Sequence, residues 1–204
     1  MKRLTFLGSC LTALLAVTVY FSQTPSADAL TKDTVAIMTN IQEGDTEISR
    51  IGRMSFAPNG VLLVADIGSA SIVAIETGDT GPVKKLKERV NDVDKKIGAA
   101  LGTDKEGIKI ADMAVNPASG KIYVSVQRKA DGLNAIILFD ENGKLTPVDL
   151  KNARYVRVSL PVADQKTISN ISGVEFSNGR VLAAGQSNEE FSSKIYSLPL
   201  PLKH

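Results

Sequence analysis

At 204 residues the chain has room for one ordinary domain and not for two large ones. Its 43% hydrophobic and 23% charged residues exclude wholesale disorder, and a net charge of +2 lacks the basic footprint of a nucleic-acid binder. The one cysteine, Cys10, and the one histidine, His204, exclude His/Cys zinc sites, Ser-His-Asp triads and Cys-His dyads from the body of the chain.

The first 29 residues read as a secretory signal. Lys2 and Arg3 supply the positive start, Leu4 to Tyr20 the apolar run, and Ala27 and Ala29 the small residues before a cleavage site. Cleavage after Ala29 makes residues 30–204 the mature domain and places it in the periplasm or outside the cell, with no stable membrane insertion. The apolar run of 17 residues lies at the short limit for a membrane span. Cys10 precedes most of that run, so it does not form a lipoprotein box.

The body contains three copies of one pattern. Met54-Ser55-Phe56, Met113-Ala114-Val115 and Val174-Glu175-Phe176 each open with apolar-x-apolar. A turn ending in Gly60, Gly120 or Gly179 follows, and these glycines are 60 and 59 residues apart. Second strands, "VLLVAD", "KIYVSV" and "RVLAAG", lead through variable loops to third strands, "SIVAIE", "NAIILFD" and "KIYSL". Asn59-Gly60, Ser119-Gly120 and Asn178-Gly179 supply the positive φ of tight hairpins. "KLTPVDL" reads as a fourth, outer strand. Radially repeated antiparallel sheets predict an all-β fold, a partial β-propeller of about three four-stranded blades.

"FAPNGVLLVADIGSASIVAIE" resembles an NHL repeat through Asn59-Gly60, Val64-Ala65-Asp66 and Ile72, with Ala70-Ser71 where arginine is usual. Met113 to Ser125 and Ser187 to Phe191 are similar to segments of exported bacterial propeller-type proteins. These resemblances imply a fold and a compartment, and no activity.

Between the first two copies, Leu86, Val90, Val93, Ile97 and Leu101 recur at helical spacing, predicting an amphipathic helix over about 83–101, with Pro82 at its start and Gly102 at its stop. Its polar face mixes six basic and three acidic residues and has no Trp or Phe, so it reads as a surface helix packed on the propeller. "KNARYVRVSLPVADQKTISNIS", with a short alternating run at Tyr155 to Leu160, reads as a strand and a loop crossing to the third copy. Asn170-Ile171-Ser172 fits a glycosylation acceptor, expected to be unused. "DTVAIMTNI" offers one more strand. Leu198, Leu200 and Leu202 alternate with prolines and read as a connector. Three blades fall short of the four to eight that close a propeller. The expectation is an N-terminal piece of a longer propeller, or self-association through unpaired sheet edges.

Propeller ligands sit at the central channel. Arg53, Asp112 and Gly173 precede the inner strands in this register, and Asp66 ends the second strand of the first blade, making Arg53 and Asp66 binding candidates. Asp112, Asn116 and Glu175 are the oxygen donors that would hold Ca²⁺ in a lactonase-like propeller hydrolase, with no spacing that enforces it. Against this, Asp66 and Asp112 fit turn hydrogen bonds and Glu175 a solvent-facing position. Glu189 and Glu190 form an acidic pair in a loop. No phosphate-loop or dinucleotide motif is present. The leading expectation is an exported binding or scaffold module for a protein or small-molecule partner, without catalytic machinery or an obligatory cofactor. A metal-dependent hydrolase and a fragment with no independent function are the alternatives.

Overall fold

The computed structural model of the chain describes residues 36–162, 166–188 and 192–204. The expected leader and the pair Glu189 and Glu190 lie outside them. The strands are β1 (Gln42–Gly44), β2 (Ile51–Ala57), β3 (Val61–Asp66), β4 (Ser71–Glu76), β5 (Ile108–Val115) and β6 (Ile122–Arg128). They continue with β7 (Asn134–Phe139), β8 (Leu145–Pro147), β9 (Ala153–Ser159), β10 (Ile168–Ser177), β11 (Arg180–Ser187) and β12 (Ser193–Pro199). One helix, α1 (Val93–Ala100), stands between β4 and β5.

The strands form three antiparallel sheets, ordered β1-β9-β4-β3-β2, β5-β6-β7-β8 and β10-β11-β12. Each repeat supplies one blade, so the all-β, propeller-like expectation holds, with blades of five, four and three strands among the described residues. The inner strand β2 packs on both β5 and β10 and puts the first blade between the other two. One of its faces (Ala57, Leu63, Ile72, Ala74) meets Val174, Val181, Ala183 and Leu198 of the third blade. The other (Met54, Phe56, Leu62, Val73) meets Ala114, Tyr123 and Ile136 of the second. This explains why "VLLVA" is apolar without alternation: both faces are buried, and Leu62 to Ala65 expose nothing. Phe56 and Tyr123 meet edge to face, their ring centroids 5.0 Å apart.

The hairpin glycines answer a double demand. Gly60 and Gly120 have φ of 70° and 76°. A Cβ on either would also strike a carbonyl of the chain running between the first two blades, Asp79 O at 2.5 Å and Lys84 O at 2.2 Å.

Four expectations change. The helix covers only Val93–Ala100, not 83–101. Upstream, Lys84 and Lys87 donate their N–H groups to Ser119 O and Glu141 O of the second blade, so the backbone there pairs with hairpin turns and not with itself. Asp92, at φ 53°, breaks the helical path. Leu86 and Val90 still border one hollow with Met113, Ile122, Val124 and Phe139, but from a segment that is neither helix nor strand. Second, the strand expected at 155–160 forms as β9 but joins the first blade before the chain continues to the third. β9 pairs with β4, Val158 opposite Ile72 and Val156 opposite Ala74, and becomes an outer strand of the first blade. Third, the described part of "DTVAIMTNI", residues 36–41, contributes one parallel bridge, Met38 to Leu202. Fourth, the proline-rich segment is no free connector, since Leu198 and Leu202 are buried between the first and third blades. Leu202 N donates to Ile37 O, and Thr39 N to Leu202 O.

α1 covers only part of the outward face of the second blade, with Ile97 fully buried beneath it. Ile110, Met113 and Val115 remain 43, 60 and 52% exposed along β5.

Candidate binding cleft

The three inner strands share an irregularity. Pairing slips between Ile51 and Met54 in β2 and between Ile110 and Asp112 in β5. It slips again in β10, between Ile168 and Asn170 and between Ile171 and Gly173. Such bulges bend a strand and re-aim its side chains. All three border one cleft of about 300 Å³, lined by Arg50 to Arg53, Lys109 to Ala111 and Ser169 to Ile171, with Ile67 and Gln127. The inner strands therefore begin three to six residues before the expected Met54, Met113 and Val174. Arg53, Asp112 and Gly173 lie within them.

Asp66 organises one wall of the cleft from behind. Its side chain is fully buried. Oδ1 accepts from Ser49 Oγ and Arg50 N at 2.9 Å each, and Oδ2 from Ser69 Oγ at 2.7 Å and Arg157 Nη1 at 2.8 Å. Burial raises its pKa, but the Arg157, Arg50, Ser69 and Ser49 hydrogen bonds outweigh it and hold the carboxyl at about 2. Asn134 adds a second anchor, donating to Ile48 O and Ser49 O and accepting from Ile51 N. Arg50 is thus carried on a pinned backbone, and its Nη2 donates to Ser169 O across to the third blade at 3.1 Å.

Arg53 faces Asp112, Nη1 to Oδ1, at 3.3 Å, while Asp112 Oδ2 accepts from Met54 N at 2.8 Å. Arg53 therefore lines the cleft, and Asp66 shapes it without reaching a ligand. Lys109 lines it too, and its ammonium forms no hydrogen bond or ion pair among the described residues.

The metal candidates are placed apart. Asn116 is fully buried and donates to Asp79 O and Oδ2, which also accepts from Ser119 Oγ and Tyr123 OH, while Lys121 Nζ bonds Oδ1 at 2.9 Å. Burial raises the Asp79 pKa, but bonds from Ser119, Lys121, Asn116 and Tyr123 prevail and lower it. Asp112 holds Arg53 and Met54, and Glu175 is exposed on the third blade. Among the described residues no group of three or more His, Cys, Asp or Glu side chains could hold a metal ion. Sequence reasoning found Arg53 but missed Arg50, Lys109 and Asp79. Asp79 sits in a Gly-rich connector that shows no periodicity.

Among the described residues no helix is long and apolar enough to cross a membrane. No family model matches the chain, and no curated protein matches it. One solved structure, a streptogramin B lyase, is similar over 80% of this chain and 45% of its own length, at 17% identity and a TM-score of 0.17. The chain thus spans less than half of that protein.

Proposed function

We propose that the chain is an exported, propeller-type binding module that captures a small ligand in the cleft between its inner strands and does not transform it. The observation that carries this reading is the convergence of three strand bulges on one cleft, because bulges concentrate where a sheet serves a site. A concave site with a few converging polar groups is the ordinary form of a ligand pocket, and 300 Å³ is the small end of that range. The carboxylates nearest the cleft, Asp66 and Asp112, are engaged in holding backbone and arginines. Export is read from the leader.

The test has two parts. Expression of the full chain in a bacterial host, with N-terminal sequencing of the exported protein, should give Leu30 as the first residue. Retention of Met1 in the cytoplasm overturns export. Thermal melting of the exported protein against a panel of small metabolites should show stabilisation by at least one, lost in Gln127→Ala. A flat panel overturns the binding reading, and turnover of the bound compound overturns the absence of catalysis.

A further inference from the structure

We propose that the cleft is an anion site, taking a small ligand through a carboxylate or phosphate group. This rests on the binding reading above. The lining carries three cationic side chains, Arg50, Arg53 and Lys109, and no carboxylate. They come from two blades and line one cleft beside the bulges of β2 and β5, so the strand backbones fix their placement. A cleft lined by one sign of charge focuses its field on an incoming counter-ion.

The donors are incompletely used. The Lys109 ammonium has no partner among the described residues, and Arg50 spends one N–H on Ser169 O. Arg53 makes a single 3.3 Å contact with Asp112, at the long limit of a hydrogen bond. Two guanidinium forks can each grip an oxyanion through paired N–H groups, and the ammonium adds a point charge. The amide side chains of Gln127 and Asn170 border the same space and suit the neutral part of a ligand.

Asp112 gives the site a competitor. Its Oδ2 accepts from Met54 N, while Oδ1 holds Arg53. A bound oxyanion and the Asp112 carboxylate therefore compete for the Arg53 guanidinium. Asp112→Asn keeps an acceptor for Met54 N and removes the charge that occupies Arg53.

The exported protein is titrated calorimetrically with inorganic phosphate, succinate and a neutral control, glycerol. Phosphate or succinate binds and glycerol does not, which also distinguishes the phosphate and carboxylate sources. Lys109→Gln or Arg53→Gln weakens binding roughly tenfold, the scale of one charged hydrogen bond. Asp112→Asn tightens it. Lys95→Gln, which removes a positive charge on α1 outside the cleft, leaves it unchanged. Affinity falls as salt rises. Two results overturn the proposal: no binding of either anion, or binding that Lys95→Gln weakens as much as Lys109→Gln does. If neutral metabolites stabilise the protein and anions do not, the binding module stands and the anion class falls. If nothing binds, both fall.

Discussion

Asp66 and Arg157 are 91 residues apart in sequence and meet at 2.8 Å, the carboxylate fully buried and the guanidinium 17% exposed. The pair joins the second strand of the first blade to the outer strand that returns from beyond the second blade. The same guanidinium also donates to Ser69 Oγ, Ser71 Oγ and Thr46 O.

Breaking this pair strands a charge. Asp66→Asn removes the counter-ion of a mostly buried arginine, and the chain should lose about 3 kcal/mol of stability, the lower end for such pairs because Arg157 keeps some solvent. Arg157→Met strands Asp66 instead. The double variant should lose less than the sum of the two single changes, as urea denaturation of the three proteins will show.

Acid should weaken the fold in a defined window. The Asp66 pKa lies at about 2, below its ordinary 3.8, so its stabilising contribution is complete above pH 4 and is lost as pH falls toward 2. That difference corresponds to about 2 kcal/mol. Asp79 is lowered as well and acts in the same direction. Chemical denaturation between pH 5 and pH 2 should show a fall that is shallower in Asp66→Asn. A slope unchanged in that variant contradicts the assignment.

Two glycines at equivalent turns should respond differently. Gly120→Ala adds a left-handed residue and a clash with Lys84 O, together costing about 3 kcal/mol. Gly179 has a similar φ, 71°, but among the described residues nothing lies within 4 Å of its added Cβ, so Gly179→Ala should cost about 1 kcal/mol. Melting temperatures of the two variants give the comparison directly.

The apolar ridge on β5 should govern solubility. Met113 and Val115 are more than half exposed. Contiguous exposed apolar surface promotes association, and replacing both by Thr should lower light scattering of concentrated protein without changing the urea midpoint. Unchanged scattering would place the association elsewhere.

The repeat was legible because three Gly turns sit at nearly one interval and each is flanked by apolar strands. β9 was legible as a strand but not in its partner: alternation reports which face a residue takes, not which edge it joins. Helical spacing at Leu86 and Val90 described a packed face correctly and its backbone wrongly, because Ser119 O and Glu141 O compete for the N–H groups there. Arg53 was found from the repeat register. Arg50 and Lys109 were not, since the bulges lengthen the inner strands beyond the motif. Asp66 was singled out by its position at a strand end, and its work is to fix Arg50 from inside the core.

The return of β9 also sets an order of assembly. The outer edge of β4 has no partner until residue 159 has been made, so the first blade is finished only after the whole second repeat has been synthesised. Until then its strands present a bare edge to other chains, the situation in which nascent β proteins aggregate. The first two blades should accordingly form in one slow, cooperative step dominated by contacts distant in sequence. For the exported module proposed above, crossing the membrane before that step takes place keeps the bare edge of β4 away from other chains in the cytoplasm.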